Sequence, residues 1–291
     1  MRVIRAEHLG MCFGVRDAIA LAVNQSQHQP LTVLGELVHN ETVLADLRAR
    51  GVQVVDRPVV VGTASVMITA HGASEKTLQT VKARGLSVLE ATCPLVHVAH
   101  RAVKSLVHDG YHAVLIGKRG HVEVRGLTED LNDFDIVLTE ADVFELREQK
   151  RFGIAAQTTQ PIERVRQLVA LIRWRFPESE VRFIDTVCQP TKQRQNAAVE
   201  LAQQSDVVIV VGGANSNNTQ ELAKTCRLFC PRVFHIGTVE DLRTEWFATA
   251  EVVGLTAGTS TPDHVIDSVE DWLRELAFTG APPKNYENSL V

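Results

Sequence analysis

The 291-residue chain holds only five cysteines and has no surplus of basic charge, its formal net charge being −5. Without a dominant positive field, it is not built as a general nucleic-acid binder. No apolar run approaches the ~20 residues that a membrane span needs. The opening MRVIRAEHLG has no long apolar stretch and no small-residue cleavage site, so no secretory leader is expected. Walker and GxGxxG signatures are missing, which argues against a nucleotide-binding fold of the usual kind. CxxC pairs and ferredoxin-type spacings are missing as well. Five cysteines, an odd and widely spaced set, fit reduced thiols in the cytoplasm better than a disulfide framework. What is there is an apolar content of 45%, ample for the core of an α/β enzyme of one large or two ordinary domains.

The cysteines sort into two kinds. Cys226 and Cys230 share one helical stripe with Leu222 and Ala223 in ELAKTCRLFC, where cysteine serves as a small hydrophobe and core packing is expected. Cys12, Cys93 and Cys188 each end a strand-like segment and precede a helical pattern, as in LSVLEATC followed by Pro94 and an apolar face from Leu95 to Leu106. A thiol at a strand-to-helix turn stands where a ligand can reach it.

An internal repeat runs through these three positions. His39 lies 27 residues after Cys12, His121 lies 28 after Cys93, and Ser216 lies 28 after Cys188, each just past a β-rich run. A third strand-end position follows in each repeat: His71 in VMITAHGAS, Thr158 in FGIAAQTTQ and Ser260 in VVGLTAGTS. Thr139 and Thr238, each followed three residues later by aspartate, read as equivalent helix N-caps. The expected architecture is therefore α/β, with three pseudo-threefold-related parallel-sheet units around a central cavity. Their expected limits are 1–92, 93–187 and 188–279, with a separate tail at 280–291 that shows no helical pattern. Ligands in such sheets bind at the carboxyl ends of strands, beside helix N-termini.

Three sulfur donors about one axis suit an iron–sulfur cluster or zinc. Three cysteines around a cubane leave one iron open, able to act as a Lewis acid. His39, His71 and His121, with Ser216, Asn218 and Ser260, offer donors suited to phosphate oxygens, so a small diphosphate is the expected ligand class. Glu123 lies two residues after His121. An extended HVEV there would turn both side chains to one face, with the carboxyl beside an anion site inclined to hold its proton.

The motifs HLGMCFGVRDAI, LGELVHN, AHG, ATCPLV, GHVEV, QTT, DTVCQPTKQRQ, NSNN and TAGTSTPD run in order through residues 1–275. Together they resemble those of the 4-hydroxy-3-methylbut-2-enyl diphosphate reductase family, which closes the methylerythritol phosphate route to isoprenoids. The resemblance implies one [4Fe-4S] cluster per chain, held by Cys12, Cys93 and Cys188 with one iron open. It implies a diphosphate bound by His39, His71, His121, Ser216, Asn217, Asn218 and Ser260. It also implies reductive removal of the substrate hydroxyl, giving isopentenyl and dimethylallyl diphosphates, with Glu123, Thr158 and His121 in the catalytic roles. A ferredoxin or flavodoxin would supply electrons, and neither nucleic acid nor membrane is an expected partner.

This chain departs from the family pattern at two points. Val122 stands where the family has proline, loosening on paper the segment that presents His121 and Glu123. Asn217 stands where a second serine is usual. Lys118, Arg119 and Arg125 also make the second loop basic, which reads as a solvated surface. Two other readings stand beside the reductase: a cluster-binding paralogue that binds a diphosphate or senses redox state without turnover, and a zinc-dependent hydrolase or lyase on the same thiolates.

Overall fold

In the computed structural model, residues 1–281 are described; the expected tail from 280 lies almost wholly outside them. Among the described residues, twelve strands alternate with helices. They are β1 (Arg2–Arg5), β2 (Leu31–Leu34), β3 (Gln53–Val55), β4 (Ser65–Ile68), β5 (Ser87–Glu90) and β6 (His112–Ile116), followed by β7 (Phe134–Val137), β8 (Arg151–Ala156), β9 (Glu180–Phe183), β10 (Val207–Val211), β11 (Val233–Ile236) and β12 (Val252–Ala257). They form three four-stranded sheets ordered β5-β4-β2-β3, β9-β8-β6-β7 and β1-β12-β10-β11. Every strand pair among the described residues is parallel. Parallel neighbours need crossover connections, and the helical periodicity between strands supplies them. The central strands β6, β8, β10 and β12 are nearly continuous runs of buried Val, Ile, Leu and Ala, as expected of strands covered on both faces.

The three sheets share one strand order, so the repeat along the chain is real. In each sheet the edge strand that leads to a cysteine pairs with the third strand of the repeat before it: β5 on β4, β9 on β8, and β1 on β12. The segment 1–92 therefore does not hold its own first strand. β1 closes the C-terminal sheet, with Arg2 opposite Val252 and Arg5 opposite Leu255. Hydropathy periodicity shows that a strand exists and says nothing about which partner completes it.

By compactness the chain forms two units. The larger comprises Gly14–Leu37 and Leu44–Gln189 and contains β2 to β9; the smaller comprises Met1–Phe13, Val38–Val43 and the chain from Pro190, and contains β1 and β10 to β12. In the larger unit, Phe152, Ile154, Val165, Val169 and Ile172 centre one apolar cluster. A second gathers Val103, Leu106, Leu115, Val124 and Leu127. In the smaller unit, Ile209, Val211, Leu255, Ile266, Val269 and Trp272 pack on one side of the sheet. Val208, Val210, Leu222, Cys226 and Cys230 form a separate cluster. Cys226 and Cys230 are thus core residues, 0% and 1% exposed, and burial pushes the Cys226 thiol up to about 12.

Candidate active site

The three strand-end cysteines are built by one local rule. Past its edge strand, each continues the ladder to its sheet neighbour, and its backbone N–H donates to a carbonyl there. Cys93 donates to Ala70 (3.0 Å), Cys188 to Thr158 (3.0 Å) and Cys12 to Thr259 (3.1 Å). Those carbonyls belong to the loops carrying His71, Thr158 and Ser260. Each cysteine is thereby fixed against the third polar loop of the preceding repeat, not against one of its own. All three are half-buried, in contrast to the two buried core cysteines, and none of the five is in a disulfide.

In the larger unit, Cys93 is the N-cap of helix Pro94–His108, with Pro94 in the first turn, where its missing N–H costs nothing. Gly14, buried in helix Phe13–Ser26, lies against it: a Cβ there would stand 2.6 Å from the Cys93 Sγ. Only glycine leaves room for that thiol. Cys188 is carried by a loop pinned to β8, where the Thr186 hydroxyl both accepts from the Ala156 N–H (2.8 Å) and donates to the Ala156 carbonyl (2.5 Å).

Glu123 is 1% exposed, and its carboxyl faces Thr158, itself 4% exposed. The Thr158 N–H donates to one carboxyl oxygen at 2.6 Å and the Thr158 hydroxyl to the other at 2.9 Å. Burial pushes the Glu123 carboxyl from the usual 4.5 up to about 7, against the opposing pull of the two Thr158 bonds. The acid thus stands near the protonation midpoint at neutral pH, where giving and taking a proton are both easy.

The expected extended HVEV is not observed. Val122–Thr128 is a short helix, and His121 caps it, its Nδ1 accepting from the Glu123 N–H at 3.2 Å. An imidazole that accepts at Nδ1 carries its proton on Nε2, which leaves Nε2–H as the donor. Val122 occupies the first helical position, where proline would fit but is not required. With valine there, His121 caps the helix and the Glu123 carboxyl meets Thr158. The His71 ring meets the His121 ring edge-on, with centroids 5.5 Å apart. The loop cations are solvated as expected: Lys118, Arg119 and Arg125 are exposed. Arg125 and Val122 line a cleft of about 220 Å³ with Arg57, Ser74 and Glu129.

In the smaller unit, the His39 carbonyl lies against Gly213, where a Cβ would come within 2.2 Å of it. Ser216 caps helix Asn217–Arg227 by accepting from the Thr219 N–H, so its own hydroxyl hydrogen is available to donate. The Asn218 Oδ1 accepts from the Thr259 N–H at 3.0 Å, in the loop that also receives Cys12. Asn217 Nδ2 and Ser260 Oγ are buried with no hydrogen-bond partner. Unmade bonds on buried polar groups are costly, and donors of this kind mark a place for a ligand with acceptor oxygens.

Three contributors escape motif reading. Gln157 is completely buried beside Thr158, and Gly14 makes room for Cys93. Arg194, 9% exposed, donates from Nε to the Gly10 carbonyl at 2.9 Å, bracing the turn before Cys12. The only sequence signal for the first two is their presence in the motifs QTT and CFGV; Arg194 stands in DTVCQPTKQRQ without a periodicity that sets it apart.

A family model described as LytB protein matches residues 3–274. The chain belongs to the LytB family. Among similar proteins, the 4-hydroxy-3-methylbut-2-enyl diphosphate reductase of Anaeromyxobacter sp. (strain Fw109-5) is 36% identical over 285 residues, covering 97% of this chain and all of that protein. The enzyme of the same name from Aquifex aeolicus (strain VF5) is 37% identical over 282 residues, covering 94% and 96%. A solved structure of (E)-4-hydroxy-3-methyl-but-2-enyl diphosphate reductase, the terminal enzyme of the non-mevalonate pathway, is 36% identical with a TM-score of 0.67, over 94% of this chain and 99% of that one. The E-1-hydroxy-2-methyl-but-2-enyl-4-diphosphate reductase of Plasmodium falciparum is 26% identical with a TM-score of 0.87, over 98% and 89%. No helix among the described residues is long and apolar enough to cross a membrane.

Proposed function

We propose that this chain is a 4-hydroxy-3-methylbut-2-enyl diphosphate reductase. It removes the substrate hydroxyl as water with two electrons and two protons, leaving isopentenyl and dimethylallyl diphosphates. Family membership sets the reaction class. The observation that carries the reading is the buried Glu123–Thr158 pair, whose backbone also receives the Cys188 N–H, so that acid, hydroxyl and thiol loop are tied together.

The donor set fits an iron–sulfur cubane. Cys12, Cys93 and Cys188 are half-buried cysteines, held alike by their N–H bonds, and Gly14 gives the Cys93 sulfur the space that a Cβ would take. These three would be its ligands. When bound, the cluster supplies the electrons and an open Lewis-acidic iron; a ferredoxin or flavodoxin would recharge it. The rest falls to the chain's own residues. His121, donating from Nε2, and His71 bind diphosphate oxygens. His39, Ser216, Asn217, Asn218 and Ser260 do the same, and the orphaned Asn217 Nδ2 and Ser260 Oγ gain partners when the anion arrives. Glu123, near its protonation midpoint at neutral pH, delivers a proton to the departing hydroxyl, which Thr158 orients.

The test is an anaerobic assay of the reconstituted protein with reduced viologen and hydroxymethylbutenyl diphosphate, with iron, sulfide and zinc measured on the same sample. Both five-carbon diphosphates are expected as products, and both are expected to vanish in Glu123→Gln while iron and sulfide stay bound. Bound zinc without sulfide would sink the reading, as would full turnover in Glu123→Gln.

A further inference from the structure

We propose that Gln157 is a positioning residue, whose side chain sets the spacing between the turn presenting His121 and Glu123 and the loop presenting Thr158. This rests on reading Glu123 and Thr158 as the proton-handling pair.

The geometry is a two-rung bridge. Gln157 is 0% exposed and follows β8, whose neighbours Ala155 and Ala156 are packed in apolar clusters. A primary amide in such surroundings is costly unless its bonds are made. Its Oε1 accepts from the Lys118 N–H (3.1 Å) and from the Gln160 amide (3.0 Å), and its Nε2 donates to the Thr159 hydroxyl (3.1 Å). Lys118 in turn passes the restraint on, because its carbonyl accepts from the His121 N–H at 3.1 Å. His121 then caps the helix that carries Glu123. The first rung is therefore Lys118 to Gln157, and the second is Glu123 to Thr158, one residue further along. Gly117 lets the two strands close: a Cβ there would stand 2.8 Å from Val124 and 3.0 Å from the Gln157 Cβ. An apolar residue could fill the space of Gln157 but could not hold the Lys118 N–H. Removing the first rung while keeping the volume loosens the second, and the ionised Glu123 then loses support from Thr158 in a site that stays dry. The neighbouring titratable or charged groups are His121, which caps the short helix, Arg125 on that helix, and His71, whose ring stands against His121.

The experiment uses the full chain carrying Gln157→Met, which fills the space without polar atoms. Glu123 protonation is followed by its carboxyl infrared band, identified by subtraction of Glu123→Gln, and the pH profile of kcat is measured beside it. In Gln157→Met the Glu123 midpoint is expected to rise by about one unit, with the alkaline limb of the kcat profile moving with it, and the maximal kcat to fall several-fold because Thr158 no longer holds the acid, with KM within twofold. If Gln157→Met does not fold, Gln157→Asn carries the test, since it is one methylene too short to reach Lys118. An unmoved Glu123 midpoint in whichever variant folds overturns the proposal, as does a loss of kcat with no change in its pH profile. The infrared titration needs no turnover. A wild-type protein that makes no product while its Glu123 midpoint still moves in the variants would remove the reductase reading and leave the positioning role standing.

Discussion

Replacing Glu123 with glutamine should make the protein more stable at alkaline pH, even as it abolishes turnover. The folded carboxyl titrates at about 7 against an ordinary 4.5. Below the lower value both states are protonated, and the site contributes its full stability. Between the two, the unfolded chain gives up its proton while the folded chain keeps it, so stability falls as pH rises and levels off above about 7. At 1.36 kcal/mol per unit the loss amounts to about 3 kcal/mol. Glutamine offers one acceptor and one donor in the shape of the protonated acid, and it never ionises. Urea unfolding of both proteins from pH 4.5 to 8, followed by circular dichroism, measures the difference at each pH. All other titrating groups are common to both chains and cancel. The stability of Glu123→Gln minus that of wild type should climb by about 3 kcal/mol across the range. A difference that stays flat within about 1 kcal/mol would refute the claim that burial outweighs the two Thr158 bonds.

Other outcomes are equally specific. Ser260→Ala should raise KM for the diphosphate while stabilising the ligand-free protein by about 1 kcal/mol, because it deletes a buried hydroxyl with no partner; steady-state kinetics and thermal unfolding read the two effects. Gly14→Ala should cut bound iron and sulfide, since its methyl group would meet the Cys93 sulfur at 2.6 Å, and metal and sulfide analysis checks this. Cys93→Ser should lose iron and sulfide outright, whereas Cys226→Ser should keep both and lose about 1–3 kcal/mol of stability from a polar atom placed in the core.

The regular part of this architecture was legible because repeats are visible in one dimension. Strand-end cysteines at similar intervals, matched by His39, His121 and Ser216, pointed to three parallel sheets, and the described residues contain three of identical strand order. The burial of Cys226 and Cys230 was equally readable from helical spacing. The partner of β1 was not, since a strand carries no label for the neighbour across the sheet. Nor was the helix at Val122: GHVEV has a β-rich composition, and what makes it helical is the His121 ring accepting from the Glu123 N–H. Gln157 escaped for a similar reason. Its importance lies in three hydrogen bonds made only when two loops meet, and a lone glutamine in a sequence reads as surface.

The pairing of β1 with β12 sets a clock on the protein's maturation. Arg2 and its ladder partner Val252 stand far apart in the chain, so Arg2 is made long before the residue it pairs with. Until that strand arrives, the segment from Arg2 to Cys12 has no sheet to join and no Thr259 carbonyl to hold the Cys12 N–H. Cys93 and Cys188 have their partners at Ala70 and Thr158 as soon as those stretches are made. A chain cut short before β12 therefore lacks the carbonyl that holds the Cys12 N–H, while the partners of the other two cysteines are already made.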